Sequence, residues 1–330
     1  MSAVVAYWTA FSRSFNYLVV EEPAWKFGLL LLALGAVVGS LLPGWVDRMA
    51  AASGLEIVPP PRRNALWRSV YALATAVAFA VFGLGVARGN WQMVSEGGDI
   101  AWMHWRILYH LLLLTLLAAA TLIDFRQYII PDEITVPGTI CGVLLAAIGG
   151  HFHLVPFWVD WSHPFVNLYG PYIPDWIKDH AHLHGLAWSV VGMLAGGGIV
   201  WIVRWISSRI LGQEAIGFGD VTLMAMIGSF VGWQPVLFML ALAPLCGIVA
   251  ALAVLLATGK TYVPFGPYLS AGAVVVLCTW HWLWPPARVI FSHPPTLILL
   301  GLGVLVLLAA LLLLLRLYRM IPVDTSRGGK

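Results

Sequence analysis

The chain has 330 residues, 60% hydrophobic and only 10% charged, and its mean hydropathy of +0.87 lies well outside the range of a water-soluble domain. Its net charge of +3 is spread over short loops without a basic stripe, so nucleic acid is not an expected partner. What remains is an all-α, polytopic membrane bundle whose main solvent is lipid.

A bilayer core about 30 Å thick requires about 20 mostly apolar residues per spanning helix. Runs of this kind fall at 27–45, 67–87, 106–124, 134–150, 186–206, 220–232, 235–257, 266–284 and 297–315. Eight or nine spans are therefore expected, because Gly232-Trp233-Gln234-Pro235 reads as a tight turn that either breaks one segment or separates two. The residues before the first run include Arg13, Glu21 and Glu22 and lack a small-residue cleavage site, so that run is expected to be a retained span. Cys141, Cys246 and Cys278 lie singly within apolar runs and far apart. They spell neither a disulfide framework nor a zinc motif, and are expected to be small core residues. No metal and no cofactor is expected.

Between the fourth and fifth runs lies a long segment, 151–185, holding His151, His153, His163, His180, His182 and His184 with several tryptophans, tyrosines and prolines. His-x-His spacing can supply metal ligands, but no acidic or cysteine partner completes a site. The plainer expectation is an interfacial lid with aromatic rings at headgroup level and histidines facing water.

With the N-terminus outward and 220–257 crossing twice, the inner loops carry Arg48, Arg62, Arg63, Arg68, Arg126, Arg204, Arg209, Lys260, Arg316, Arg319, Arg327 and Lys330. Only Arg13, Lys26, Arg88, Arg106, Lys178 and Arg288 fall outside. Lys and Arg are retained on the cytoplasmic side, so this orientation is favoured. It puts 46–66 and the C-terminal tail inside, 151–185 outside, and both Asp124 and Asp220 at the cytoplasmic boundary.

Ionisable groups beside long apolar spans are costly, which makes Asp124, directly after Leu122-Ile123, a functional candidate. In the following polar turn Pro131 stops the preceding element, and Asp132 or Glu133 suits the first turn of the next helix, a structural role. The second carboxylate stands in Gly217-Phe218-Gly219-Asp220. Two glycines before an acid let another backbone approach closely, as cleavage of an extended peptide would need, although Asp220 also suits a helix cap. Gly217 and Gly219 are thus candidate substrate-binding residues. Two adjacent carboxylates share a proton: one acts as general base on a water while the other polarises the scissile carbonyl.

At these residues the sequence resembles the type IV prepilin peptidases, bacterial inner-membrane aspartyl peptidases of the Gly-x-Gly-Asp kind. Residues 122–135, Leu-Ile-Asp-Phe-Arg-Gln-Tyr-Ile-Ile-Pro-Asp-Glu-Ile-Thr, look like the family's first aspartate block, and 214–225, Glu-Ala-Ile-Gly-Phe-Gly-Asp-Val-Thr-Leu-Met-Ala, like its second. Pro264-Phe265-Gly266-Pro267 and Gly35-Ala36-Val37-Val38-Gly39-Ser40 resemble two further segments. The resemblance implies that Asp124 and Asp220 are the catalytic pair. It also implies a prepilin or pseudopilin substrate, cut at the cytoplasmic face between a short leader and its hydrophobic helix. It implies residence in the bacterial inner membrane, with lipid as the other partner.

Many members also methylate the new N-terminus and carry a Cys-x-x-Cys zinc loop after the first span. Here 46–66 is short and contains no cysteine, which puts methyl transfer in doubt. The expected organisation is 1–105 as N-terminal spans, 106–284 as the peptidase core with the 151–185 insertion, and 285–330 as a final span and basic tail. The competing expectation is a proton- or ion-coupled transporter using Asp124, Asp220 and Glu214. Against it, the acids gather at one boundary and no inverted repeat is visible.

Overall fold

The computed structural model describes residues 14–54, 65–93, 95–96, 100–162, 166–214, 216–258 and 264–319. These are almost wholly helical: α1 (Ala24–Ala52), α2 (Ala65–Arg88), α3 (Ile100–Gln127), α4 (Asp132–Gly149), the short α5 (Val166–Tyr169) and α6 (Asp175–Asp179), α7 (Ala181–Leu211), α8 (Phe218–Val231), α9 (Trp233–Thr258), α10 (Gly266–Phe291) and α11 (Pro294–Arg319). Seven of them, α1, α2, α3, α4, α7, α10 and α11, are long and apolar enough to cross a membrane, and α8 and α9 supply shorter apolar helices. The chain is a multi-pass helical membrane protein. The expected tight turn is a single residue: Gly232, at φ +81°, closes α8, and α9 starts at the next position.

Helices in lipid are held by close packing and polar ties rather than by expulsion of water. Gly192 of α7 meets Gly228 of α8 backbone to backbone, since a methyl built on Gly228 would lie 2.0 Å from the Gly192 oxygen. Ser189 Oγ on α7 donates to the Ser229 carbonyl at 2.6 Å, and the Tyr109 hydroxyl of α3 lies 3.0 Å from the same carbonyl and 3.0 Å from that of Gly142 on α4. Three helices, α3, α4 and α7, are thus tied around one point of α8. In α1, Gly35 and Gly39 serve a similar contact, with a methyl on Gly39 falling 2.4 Å from the Tyr71 oxygen of α2.

The bundle has two distinct ends. At one, Arg126 in the last turn of α3 pairs with Asp47 of α1 at 3.5 Å, and Ser53 at the end of α1 donates to Glu133 of α4 at 2.7 Å. At the other, Arg88 binds the carbonyls of Val19, Val20 and Glu22, and the His281 amide donates to the Trp91 carbonyl at 3.0 Å. Of the basic residues, Arg13, Arg62, Arg63, Lys260, Arg327 and Lys330 lie outside the described residues, as does most of the short loop within 46–66.

The 151–185 segment departs from the expected interfacial lid. At 14 residues, α8 is only about 21 Å long, too short for a bilayer core of about 30 Å. The chain at 151–162 reaches inward to meet its far end: Trp233 Nε1 donates to the Phe157 carbonyl at 3.0 Å, and Gln234 Nε2 to that of Pro156 at 2.9 Å. Leu154, Val155 and Val159 belong to the hydrophobic core. Arg106, 1% exposed, binds the carbonyls of His153 at 2.7 Å and Met93 at 2.8 Å. Of the histidines, His180 and His182 are exposed as expected, but His153 and His184 are buried. His184 Nε2 accepts from the Phe157 amide at 2.9 Å, and burial, reinforced by His184 and Arg106, pushes the His153 ring well below its ordinary range. His163 lies outside the described residues. Cys141 is likewise no core residue: it is exposed on α4, while Cys246 and Cys278 are half-buried.

Candidate active site

The site is built where two chain reversals and the start of α10 meet at the first end of the bundle. The first follows α3. Asp124 sits in its last turn, only 4% exposed, and the Tyr128 amide donates to the Asp124 carbonyl at 2.8 Å. Tyr128 adopts a left-handed φ of +58°, which ends the helix and turns the chain through Ile129 and Ile130. Pro131, extended at φ −76° and ψ 137°, then caps α4, placing Asp132 and Glu133 in its first turn. There they face the positive end of the helix dipole, the structural role expected of Asp132.

The second reversal joins α7 to α8. Gly212, at φ +68°, closes α7, and Gly217 is the N-cap of α8. Asp220 is the third helical residue, and its carboxylate reaches back to the backbone N–H of Gly217, half of a capping box. Asp220 is 8% exposed.

The third contributor is the start of α10. The Gly266 backbone N–H donates to the Asp124 carboxylate, and a methyl added at Gly266 would fall 2.5 Å from Asp124 Oδ2 and 2.7 Å from Ile130 Cδ1. This position admits no side chain while Asp124 stays where it is.

Asp124, Asp220 and Glu214 wall one cavity of about 460 Å³, together with Gly217, Gly219, Ile216, Ile130 and Pro264. Its rim carries exposed apolar groups: Tyr128, Ile129, Phe218 and Phe265. Asp124 and Asp220 lie 96 positions apart in the sequence, yet are close enough here to interact electrostatically. Two low-exposure carboxylates beneath an apolar rim can exchange a proton with a water held between them and a bound amide. Among the described residues, no group of three or more His, Cys, Asp or Glu is arranged to hold a metal ion.

Both candidate substrate-binding glycines line the cavity, for different reasons. A methyl on Gly219 would lie 2.9 Å from Ile130 Cβ, so this glycine lets α8 pack on the first reversal. At Gly217 the nearest atom to such a methyl is Asp220 Oδ2 at 3.6 Å, and the backbone angles suit any residue. The missing side chain leaves space within the cavity beside the carboxylate. Sequence reasoning overlooked Gly266 as a site residue because its contribution is a backbone N–H; the signal was its place in Pro264-Phe265-Gly266-Pro267.

Comparison with known proteins matches residues 111–252 to the type IV leader peptidase family, a stretch containing both aspartate blocks. The chain is 30% identical over 176 residues to a prepilin leader peptidase/N-methyltransferase of Aeromonas salmonicida (strain A449), covering 52% of this chain and 50% of that protein. The Pseudomonas putida protein of that name is 30% identical over 185 residues, 54% of this chain and 53% of its own. The Escherichia coli (strain K12) protein is 28% identical over 178 residues, 53% and 63% respectively. The chain thus spans about half the length of the curated Aeromonas and Pseudomonas relatives it matches. No solved structure matches it.

Proposed function

Taking residues 111–252 as a segment of the type IV leader peptidase family, we propose that this chain is an aspartyl endopeptidase. It removes the leader from type IV prepilins or pseudopilins at the cytoplasmic face of the bacterial inner membrane. The observation carrying this reading is the meeting of Asp124 and Asp220, from segments far apart in sequence, on the wall of one cavity.

In this mechanism one ionised carboxylate takes a proton from the bound water, whose oxygen attacks the scissile carbonyl carbon. The other carboxyl, protonated, donates to the carbonyl oxygen. Collapse of the tetrahedral intermediate breaks the C–N bond, and the departing nitrogen takes up a proton, leaving a new N-terminus and a new carboxyl. The Gly266 N–H holds Asp124 in place. The space at Gly217 admits the extended substrate backbone, while Tyr128, Ile129, Phe218 and Phe265 meet the apolar side chains at the cleavage point.

The 106–284 region is the peptidase core in this reading, and the cysteine-free loop within 46–66 leaves the product without methylation. The test is incubation of the detergent-purified protein with prepilin-type substrates and S-adenosylmethionine, the product N-terminus being read by mass spectrometry. A single cut between leader and hydrophobic helix, with an unmodified N-terminus, is expected. No cut in any substrate would refute the peptidase reading, and an added methyl group would refute the second part alone.

A further inference from the structure

The connector between α7 and α8, bounded by Gly212 and Gly217, carries part of the cavity wall. One side chain outside the cavity binds this connector repeatedly. Arg204, two turns before the end of α7, donates from Nε to the Ile216 carbonyl at 3.0 Å and from Nη2 to Glu214 Oε1 at 2.7 Å. Its guanidinium carbon also lies 5.8 Å from the centre of the Phe218 ring. All three partners line the cavity.

The Ile216 carbonyl and the Gly217 N–H are opposite ends of one peptide unit. The carbonyl accepts from Arg204, while the N–H reaches the Asp220 carboxylate. A peptide unit is rigid and planar, so fixing the direction of its C=O fixes the direction of its N–H. Hydrogen bonds in a chain also polarise one another, so a cation on the carbonyl strengthens the donor on the far side.

Stability gives this arginine a weaker rationale. The side chain of Glu214 is 76% exposed, and an ion pair so open to solvent contributes little. A lysine would not replace the arginine, because its single ammonium lacks the planar fork that grips two acceptors in fixed directions.

We propose that Arg204 is a positioning residue for Asp220, acting through the Ile216–Gly217 peptide unit. The proposal deepens the peptidase reading, and its kinetic part rests on it.

The experiment compares detergent-purified wild type, Arg204→Ala, Arg204→Lys and Arg209→Ala by two measurements. These are amide hydrogen exchange over 213–220 and the kcat and KM for a prepilin-type peptide. Arg204→Ala should speed exchange over 213–220 by about tenfold or more, as a local opening made easier. It should lower kcat by about tenfold or more and leave KM within about threefold. Arg204→Lys should restore neither, whereas Arg209→Ala, which removes an equal charge one turn further on, should behave as wild type. Should Arg204→Ala fail to fold, Arg204→Lys keeps the charge and the stem and carries the same test. Exchange unchanged in both Arg204 variants would overturn the proposal, as would full rescue by lysine. If wild type cuts no prepilin-type peptide but exchange rises as described, Arg204 still positions the connector and it is the peptidase reading that fails.

Discussion

Gly266 is the residue whose side-chain absence bears most directly on the site. A methyl there would sit 2.5 Å from Asp124 Oδ2, so Gly266→Ala must displace either the carboxylate or the start of α10. A displacement of about 1 Å lowers rates on the order of a hundredfold. Gly266→Ala is thus expected to insert normally and lose about that much kcat/KM on a prepilin-type peptide; activity within a few-fold of wild type would show that this contact does not govern the site. Asp124 was legible in the sequence because an acid ending a long apolar run has few inexpensive explanations. Asp132 stands just after Pro131 in the first turn of α4, where a carboxylate has a sufficient structural role. Arg204 and Gly266 were not legible, because each acts by a backbone hydrogen bond whose partner lies in another segment.

Among the elements, α8 is central: it carries Asp220, and ten of its residues are buried. Its crossing with α7 depends on glycine facing glycine. A valine at Gly228 would press into the Gly192 backbone, and overpacking of this kind costs about 1–3 kcal/mol. Gly228→Val should therefore lower the thermal midpoint in detergent clearly, whereas Gly198→Ala, which meets nothing within 4 Å, should not. Equal midpoints would contradict the packing described. The positions of the long helices were readable from hydropathy alone. That 151–162 is core was not, because the need arises from the short length of α8 and appears only once the chain is folded. Four of the described histidines separate accordingly, His153 and His184 buried and His180 and His182 exposed: replacing His180 and His182 together by alanine should leave the cleavage rate within about threefold. His184→Ala, which strips the Phe157 amide of its acceptor, should cost about 1–3 kcal/mol of stability. A double His180, His182 variant that loses activity would return this segment to consideration as part of the site.

For the whole molecule, the helix directions bring the ends of α1, α3 and α7 and the starts of α4, α8 and α10 to a single end. A transporter would be expected to hold its acids nearer mid-membrane, between repeats; here the cavity acids lie where the chain reverses. With the bundle oriented by its basic residues, reporters fused at Ala52 and Pro171 should give opposite signals, Ala52 cytoplasmic. The same signal from both would mean that the two ends have been misassigned. The central claim is that this fold makes Asp124 and Asp220 one chemical unit, and it is tested most directly by the cleavage rates of Asp124→Asn, Asp220→Asn and the double variant on one prepilin-type substrate. Asparagine keeps the size and much of the hydrogen bonding but cannot exchange the proton. Each single variant should therefore lose orders of magnitude in kcat while remaining inserted, and the double should be scarcely worse, because residues acting together are not additive. If either single variant still cuts at close to the wild-type rate, the two aspartates are not a catalytic pair.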